Sequence, residues 1–448
     1  MLFGIPIEKF GAPIVAWTGR HPAVGDLPER NNARRKQAMS TQHSLTKASA
    51  ARDAVVADPP LFALREQAEP AVTTAPASPA GAAAEPVLDT LPGKRPLVRL
   101  SEQPVNYESP IDYLGAAITP NEAFFVRYNL ADVPRIDADG WRLAVGGAGA
   151  KRHAELSLAD LRKLPAAEVV AVCQCSGNGR SLFQPAAPGV QWGRGAIGCA
   201  RWKGARLKDV LDLVGMRDDA LEVVFAGADK AGSQETADFS KSLPVWKARE
   251  ENTLVAYEMN GRPLPHLHGF PARLVVSGWT ATYWVKHVSA IMVATAPFDG
   301  YWMRSTYRVP LGTFPCAARF ASQDNGVDTA ITEMMVNALI TGPQEGARVK
   351  AHASFDIAGI AWDGGHGISG VDVSSDGGRT WTAAALGEAH GRFAFRTWRH
   401  PVRLERKGRH VIMARAANRI GQTQPAHAIA NPSGYHHNAV QRLTLVAT

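Results

Sequence analysis

The sequence predicts an α+β domain followed by a smaller β-sandwich, and three features of the chain support this arrangement. Between residues 96 and 325, candidate strands and short helices are mixed without the regular alternation of a doubly wound fold. From residue 330 to 448, short alternating strands follow one another closely, with turn residues between them. Residues 1–95 hold 11 of the 30 prolines, which predicts a disordered or linker-like extension.

Length, charge and composition exclude several classes of protein. The 448 residues are enough for two or three domains with a sizeable core. The net charge of +8 is mild for this length, so it does not indicate a nucleic-acid partner. No stretch approaches the roughly 18 uninterrupted apolar residues of a membrane span. Four cysteines are too few for a disulfide-dense secreted scaffold.

Within the α+β part, apolar runs bounded by turn residues predict strands, and two leucine-spaced segments predict helices. Ser157 is the predicted N-cap of the first helix, because its hydroxyl can accept a hydrogen bond from a free N–H of the first turn. The predicted helices are 157–164 and 207–214, and the predicted strands are 124–128, 141–145, 169–173, 221–225, 254–257, 273–276 and 289–293.

The C-terminal part has the pattern of a sandwich of about 110 residues, with strands joined by tight turns. Asp376, Gly377 and Gly378 lie between two strands and form a typical hairpin turn sequence. The predicted strands are 353–360, 370–374, 380–384, 392–397 and 410–417.

The N-terminal extension contains Arg34-Arg35-Lys36, which raises the question of a twin-arginine export signal. Such a signal continues into an apolar stretch, whereas residues 37–42 are polar. The sequence therefore does not predict an export signal, and Met39 is an alternative start of the natural protein.

The most reactive candidate is a Cys-x-Cys pair, Cys173 and Cys175, at the end of a predicted buried strand. Cys175 is followed by a Ser-Gly-Asn-Gly turn with free backbone N–H groups and then by Arg180. A thiolate is stabilised by nearby cations and is a soft metal ligand, while a pair of small buried residues is the alternative. Cys199 and Cys316 are isolated and are predicted to be structural.

Two further clusters contain basic and aromatic residues. His266 and His268 could complete a Cys₂His₂ zinc site with the cysteine pair, or His268 and Arg273 could bind an anion, or the histidines could belong to an ordinary loop. The segment 301–308 contains tyrosines and arginines that suit anion chemistry, with a surface aromatic loop as the alternative.

Seven motifs, with one more in the C-terminal part, occur in a specific order along residues 96–448. They are Phe124-Phe125-Val126-Arg127, Cys175-Ser176-Gly177-Asn178-x-Arg180, Gly198-x-Ala200-Arg201-Trp202-x-Gly204, Tyr257-x-Met259-Asn260-Gly261, His268-Gly269-Phe270-Pro271-x-Arg273, Tyr283-Trp284-Val285-Lys286-His287, Phe298-Asp299-Gly300-Tyr301-Trp302-Met303 and Asp376-Gly377-Gly378-x-Thr380-Trp381. In this order they resemble the sulfite oxidase family of molybdenum enzymes, and most closely its bacterial sulfite:cytochrome c oxidoreductases.

The resemblance implies a fold, a cofactor and an assembly. The fold is a sulfite-oxidase-type molybdopterin-binding domain at 96–325, followed by an immunoglobulin-like dimerisation domain at 330–448. The cofactor is molybdenum on a single molybdopterin, and the assembly is a homodimer. The reaction is the oxidation of sulfite, a small oxyanion, to sulfate by oxygen-atom transfer.

The same resemblance assigns roles to individual residues. Cys175 is the thiolate on molybdenum, and Arg127, Arg180, Tyr307 and His437 are in the substrate pocket. Two arginines can neutralise and orient a dianion through charge-assisted hydrogen bonds. The residues assigned to the pterin and its phosphate are Phe125, Val126, Arg127, Tyr128, Asn129, Asp229, His268, Arg273, Trp284, Val285 and Lys286.

Three positions depart from the family pattern. Gly179 is found where vertebrate and plant relatives usually have another arginine, and Asn129 where many have a histidine. His437 is found where bacterial sulfite-oxidising relatives tend to have an arginine, and a histidine is a weaker, pH-dependent anion binder. The third difference leaves open a substrate such as that of the related sulfane dehydrogenases.

Electron transfer and location are also inferred from the resemblance. The sequence has no Cys-x-x-Cys-His haem motif, so electrons are expected to pass to a separate acceptor such as a c-type cytochrome. The resemblance favours the periplasm, and the missing export signal keeps the cytoplasm as the alternative. A molybdenum enzyme for nitrate, a sulfoxide or another thio compound, and a non-catalytic cofactor- or anion-binding protein, are the rival functions.

Overall fold

The computed structural model describes residues 87–231, 237–314 and 320–448. The predicted twin-arginine segment, Met39 and Cys316 lie outside the described residues. Leu88–Asp89 pairs with Leu97–Ser101 in an antiparallel sheet. The strand Leu88–Asp89 lies within the segment that the sequence assigned to the extension.

The strands that precede the sandwich are numbered in chain order. They are β1 (Leu88–Asp89), β2 (Leu97–Ser101), β3 (Asn106–Glu108), β4 (Val126–Arg127), β5 (Leu143–Gly146), β6 (Ala154–Leu156), β7 (Ala166–Gln174), β8 (Ile197–Arg206), β9 (Glu222–Gly227), β10 (Ser240–Pro244), β11 (Thr253–Met259), β12 (Arg262–Pro263), β13 (Arg273–Val276), β14 (Val288–Ala294), β15 (Arg308–Pro310) and β16 (Asp328–Ala330).

These strands form three sheets and one two-stranded pair. The orders are β1-β2-β3-β4, β10-β9-β14-β5-β6 and β12-β11-β8-β7, with β13 paired to β11, while β15 pairs with β16. Among these pairings, only that of β14 with β5 is parallel. Because parallel pairing is the exception, the sheets are those of an α+β fold, as the sequence predicts.

Helices are few and short in the described part of the chain. The α-helices are α1 (Leu158–Lys163), α2 (Leu207–Val214), α3 (Val245–Ala248) and α4 (Tyr301–Arg304), and the 3₁₀ turns are Ile111–Leu114, Asn121–Ala123, Arg180–Leu182, His266–His268, Ala281–Tyr283 and Ala321–Gln323. Ser157 caps α1 in a capping box with Asp160. The apolar sides of α1 and α2 join the buried cluster that both five-stranded sheets share.

The C-terminal part is a sandwich of two antiparallel-rich sheets. Its strands are β17 (Asn337–Gly342), β18 (Arg348–Val349), β19 (Ser354–Trp362), β20 (Ile368–Ser374), β21 (Thr382–Ala383), β22 (Ala385–Leu386), β23 (Arg396–Arg403), β24 (Gly408–Asn418) and β25 (Gln441–Ala447). The sheet orders are β17-β19-β23-β22 and β18-β25-β24-β20-β21, with one apolar cluster drawn from both. The predicted hairpin after β20 forms, while β23 begins four residues later than the predicted strand.

The sandwich contacts the α+β part close to the cysteine pair. Trp362 at the end of β19 donates its indole N–H to the side-chain oxygen of Gln174, at 2.6 Å. Gln174 is the last residue of β7 and precedes Cys175 in the chain. Cys199 is buried in the same apolar contact, and burial raises its thiol pKa to about 12. This contact holds the strand that presents Cys175.

Candidate functional site

A cavity opens where β4, the end of β7, the 3₁₀ turn His266–His268 and the segment before β14 meet. Most of the predicted site residues line it. The lining residues are Phe124, Phe125, Arg127, Tyr128, Asn129, Cys173, Cys175, Ser176, Asp229, Phe239, Leu267, His268, Arg273, Ala281, Thr282, Trp284, Lys286 and Tyr307.

Cys175 occupies the tip of β7, where the strand turns away from its sheet. Its backbone N–H donates to the carbonyl of Ala196 at 2.9 Å, and its carbonyl accepts from Asn178 at 3.0 Å. The turn ends at Gly179, whose φ of +84° is a left-handed conformation that suits glycine. Cys173 also lines the cavity, and burial raises its thiol pKa to about 11, while Cys175 lies at the turn just beyond the strand.

A zinc site does not form from the two cysteines and the two histidines. Among the described residues, which include all four side chains, no group of three or more His, Cys, Asp or Glu could hold a metal ion. His266 instead contacts the ring of His287 at 5.5 Å. These four side chains therefore do not form the Cys₂His₂ cluster of the zinc alternative.

Cationic side chains dominate one side of the cavity. Lys286 donates to the carbonyl of Arg127 at 2.8 Å, and its amine lies over the ring of Tyr128, 2.9 Å from the ring centroid. Burial and the neighbouring Arg273 hold the pKa of Lys286 well below its usual range. Among the described residues, Asp229 is the one carboxylate that lines the cavity, and burial raises its pKa. An anionic ligand would relieve this excess of positive charge.

Arg273 is buried at the start of β13 and is anchored by backbone groups. It donates to the carbonyls of His268 at 3.2 Å and Trp284 at 3.0 Å, and its guanidinium lies over the rings of Trp202 and Trp284. Gly269, with φ of +101°, permits the tight turn between His268 and Arg273. A Cβ at this position would come within 3.0 Å of the Cβ atom of Arg273. These contacts fix the guanidinium at the cavity that Arg273 lines.

Four polar atoms of cavity-lining residues are buried without a hydrogen-bond partner in the described structure. They are Nδ2 of Asn129, Oγ of Ser176, Nε of Arg273 and Oγ1 of Thr282. Buried polar groups left unpaired cost about 1–3 kcal/mol each, so such a cluster indicates a ligand rich in hydrogen-bonding groups. A pterin with a terminal phosphate has such groups, and a thiolate beside it suits a soft metal, so the residues present fit the implied cofactor.

Among the residues that line the cavity, Arg127, Tyr307 and Asn129 form a hydrogen-bonded chain. Arg127 donates to the hydroxyl of Tyr307 at 3.3 Å and to Asn106 at 3.3 Å. The Tyr307 hydroxyl donates in turn to Asn129 at 3.3 Å. This chain orients a guanidinium and a phenol on the same cavity as Cys175.

Tyr307 itself adopts a left-handed backbone, with φ of +58°, immediately before β15. Its ring stacks on Tyr435, with centroids 5.8 Å apart and planes at 11°. The buried amine of Lys241 lies 5.1 Å from the Tyr307 ring centroid and 4.9 Å from that of Tyr283. The phenol is therefore held from two sides by residues distant in sequence.

Arg180 is buried but is not among the residues that line the cavity. Its guanidinium donates to the carbonyls of Ser433 at 2.9 Å and Val190 at 3.1 Å, and it lies over the ring of Tyr435, 5.1 Å from the ring centroid. It therefore supports the C-terminal segment that supplies Tyr435, which stacks on Tyr307.

His437 is likewise buried and lies outside the cavity wall. Its ring meets the edge of Phe183 at 5.2 Å, and its Nδ1 has no hydrogen-bond partner in the described structure. A Cβ on Gly179 would be 2.7 Å from the Cβ of His437, so the two positions pack directly. Burial and the nearby Arg194 lower the pKa of His437 to about 4, so the imidazole is neutral at pH 7 and does not titrate there.

Family models match both parts of the chain. Residues 130–302 match the oxidoreductase molybdopterin binding domain, and residues 328–447 match the Mo-co oxidoreductase dimerisation domain. Mitochondrial sulfite oxidase of Rattus norvegicus is 39% identical over 320 residues, covering 68% of this chain and 57% of that protein. Sulfite oxidase of Arabidopsis thaliana is 30% identical over 316 residues, covering 67% of this chain and 79% of that protein.

The chain belongs to the sulfite oxidase family. It spans 57% of the length of the rat family member that it matches. Among solved structures, the sulfane dehydrogenase SoxCD of Paracoccus pantotrophus is similar, with a TM-score of 0.66 and 25% identity over 77% of this chain and 85% of that chain. These matches confirm the predicted fold class, family and type of enzyme, a molybdopterin-binding oxidoreductase.

The structure also separates the predicted residues of this family site by position. Val126 and Val285 are buried in apolar clusters and do not line the cavity. Ser176 and Thr282 line it and were not assigned by sequence, although Ser176 lies inside the cysteine motif. Lys94, from the segment assigned to the extension, is buried against His268.

The described helices are all too short or too polar to cross a lipid bilayer.

Proposed function

We propose that the protein oxidises sulfite to sulfate by oxygen-atom transfer at a molybdenum–molybdopterin centre. The observation that carries the proposal is the single cavity that Cys175, Arg127 and Tyr307 share with the basic residues His268, Arg273 and Lys286. Sulfite oxidases are among the relatives that match with 30–39% identity, which supports the same substrate, and a nitrate reductase that matches with 31% identity keeps nitrate as a rival substrate. The catalytic and cofactor-binding roles of individual residues are part of this proposal.

The cofactor, when bound, supplies the oxygen-atom transfer and accepts the two electrons. The residues that would hold it are Cys175, as thiolate ligand, and His268, Arg273 and Lys286, as donors to the phosphate. Arg273 is already fixed by two backbone carbonyls, so little side-chain entropy is lost when it binds an anion.

Arg127 and Tyr307 would orient sulfite. The dianion is attracted by the guanidinium of Arg127, while the Tyr307 hydroxyl can donate to an oxyanion in place of Asn129. These groups are preorganised, since Lys241, Tyr435 and Asn106 hold them before substrate arrives. Arg180 would act through the position of Tyr435, and not by direct contact with sulfite.

Electrons would leave singly to an external acceptor such as a c-type cytochrome. The domain at 328–447 would join two copies of the chain, as its family description suggests. The resemblance to bacterial sulfite:cytochrome c oxidoreductases favours a periplasmic protein, with the cytoplasm as the alternative. Each of these statements can be tested on the purified protein by cytochrome reduction, mass in solution and cell fractionation.

A sulfane dehydrogenase-like activity is the second candidate, and one observation favours it. His437 is neutral at pH 7 and Gly179 has no side chain, so the site has fewer positive charges than the sulfite-oxidising pattern. A sulfur substrate that is bound to a carrier and has a lower charge density would lose less binding free energy when these positive charges are missing. The solved structure of a sulfane dehydrogenase, 25% identical, is consistent with this alternative.

The deciding experiment measures turnover of molybdenum-loaded protein with ferricyanide and with cytochrome c as acceptors. Sulfite, a protein-bound persulfide, nitrate and a sulfoxide are tested, with the Cys175→Ser variant as the inactive control. Metal and pterin analysis first separates a loaded enzyme from a non-catalytic binding protein. Fully loaded protein that reduces neither acceptor with sulfite would contradict the proposed substrate, and turnover with the persulfide would favour the second candidate.

A further inference from the structure

Lys94 is a buried lysine that the proposed chemistry leaves unused. It lies in the turn between β1 and β2 with 8% of its surface exposed. Its amine donates to the carbonyls of Asn121 at 2.6 Å and Phe124 at 2.8 Å. The third contact of the amine is the Nε2 atom of His268, which lines the cavity. In the described structure no carboxylate forms an ion pair with this amine.

The hydrogen-bond count determines the state of the histidine. An ammonium group has three N–H donors, and the Lys94 amine meets three partners, two of them carbonyl oxygens that can only accept. If all three contacts are hydrogen bonds from the ammonium, Nε2 of His268 accepts and its proton is on Nδ1. Burial, with Lys94, Arg273 and Lys286 adding to it, holds the pKa of His268 well below its usual range, although a hydrogen bond to the Asn121 backbone acts in the opposite direction. The net direction agrees with a neutral ring.

We propose that Lys94 is a positioning residue for the molybdopterin cofactor, which acts by locking His268 as a neutral Nδ1–H donor on the cavity wall. Burial lowers the pKa of the Lys94 amine to about 7, and an anion bound in the cavity would favour the charged form of the amine. An anionic phosphate therefore meets a donor of fixed orientation with the lysine behind it. The proposal depends on the family's cofactor and is independent of which sulfur compound is the substrate.

The segment 87–95 thereby becomes part of the cofactor site. The family model begins at residue 130, so Lys94 lies 36 residues before its start. The lysine reaches the cavity because β1 and β2 bring the turn against the Asn121–Ala123 helix, where Arg95 N–H also donates to Glu122. A protein trimmed to residue 96 is expected to fold its sheets and lose cofactor readily.

The first experiment observes the tautomer directly in the unsubstituted chain. Nitrogen chemical shifts of ¹⁵N-histidine-labelled protein are recorded, and the His268 signals are assigned among the 14 histidines by their loss in His268→Gln. The expected result is a protonated Nδ1 and an unprotonated Nε2. A proton on Nε2 would overturn the proposal, whether or not the protein turns over sulfite.

The second experiment measures cofactor retention. Lys94→Met keeps the length of the side chain and removes its donors, while Arg95→Gln is the matched control, since Arg95 is exposed and bonds Glu122 on the same turn. Molybdenum and fluorescent pterin released from the purified holoenzyme are followed with time. Lys94→Met should lose cofactor about 10- to 100-fold faster than wild type, the range for partners that support a ligand, and Arg95→Gln should match wild type.

A double substitution separates positioning from general support of the fold. If Lys94 acts through His268, Lys94→Met should accelerate cofactor loss in the wild-type background and have little further effect in His268→Ala. Equal acceleration in both backgrounds, or wild-type retention by Lys94→Met, would overturn the proposal. Should Lys94→Met fail to fold, Lys94→Gln retains two N–H donors and is compared in the same cycle.

Discussion

The effect of replacing His437 on substrate binding can be worked out closely from the structure. The pKa of its imidazole is lowered to about 4 by burial and by Arg194. At pH 7 only about 0.1% of the side chain is then cationic. We expect His437→Gln, which is neutral at every pH, to leave the KM for sulfite within about twofold of wild type from pH 6 to 9, because little charge is lost.

His437→Arg has the opposite expectation. A charge-assisted hydrogen bond to an anion contributes about 1.5–3 kcal/mol, and repulsion from Arg194 reduces that gain. A net gain of about 1.4 kcal/mol corresponds to a KM about tenfold lower. The arginine Cβ would occupy the position of the histidine Cβ, which fits beside Gly179 as long as residue 179 has no side chain.

The assay is steady-state oxidation of sulfite with ferricyanide, by holoenzymes of equal molybdenum content. KM ratios between variants are taken at each pH, so that protonation of sulfite itself cancels. For His437→Arg the ratio should be constant from pH 6 to 9, because neither arginine nor the neutral histidine titrates there. If the wild-type KM divided by the KM of His437→Arg falls toward pH 6, the histidine is charged there and the reasoning is refuted. A large rise of KM in His437→Gln would refute it as well.

Three further predictions concern the thiols, the phenol and acid stability. Cys175→Ser should abolish molybdenum-dependent activity, whereas Cys173→Ser should keep molybdenum content and activity within about threefold of wild type. Metal analysis and turnover measure both quantities. Equal losses in the two variants would contradict the assignment of the ligand. Tyr307→Phe should lower kcat/KM for sulfite about tenfold by removing the bonds to its neighbours, with unchanged molybdenum content, and wild-type kinetics would argue against its role. Burial lowers the pKa of His287 and of His436 to about 3, so the unfolded chain binds more protons between pH 3 and 6.5. Each should therefore reduce the free energy of unfolding by about 1.4 kcal/mol per pH unit as pH falls below 6.5, and a flat profile from pH 7 to 5 in urea unfolding would contradict this.

Local chemistry explains which structural predictions were confirmed. Helix α2 spans the predicted 207–214, and strand β13 spans the predicted 273–276. The apolar residues of each recur with the period of its element, helix or strand, and this period depends only on the local backbone geometry. Phe124–Tyr128 was predicted as a strand of five residues, but only Val126–Arg127 pairs, because the aromatic residues before them turn into the buried cluster instead. The predicted domain boundaries at 96, 325 and 330 stay predictions.

The roles of the predicted site residues depend on long-range contacts that no local pattern contains. Arg180 lies in the cysteine motif, yet its partners Ser433 and Tyr435 are about 250 residues away. The neutral state of His437 depends on burial and on Arg194, which only the folded chain brings together. Sequence therefore identified these residues but not whether they contact substrate, support another residue or have a charge.

By itself the sequence determined the family and the order of the domains and identified Cys175 and most of the other residues that line the cavity, because short motifs encode local turns and reactive side chains. Only the tertiary structure decided that the described cysteine pair and histidines do not come together in one metal-ligating cluster and that Lys94 reaches His268 from a segment with linker composition. The physical reason is that hydrogen-bond partners, burial and pKa depend on contacts between distant segments, and these form only when the sheets and the sandwich pack together.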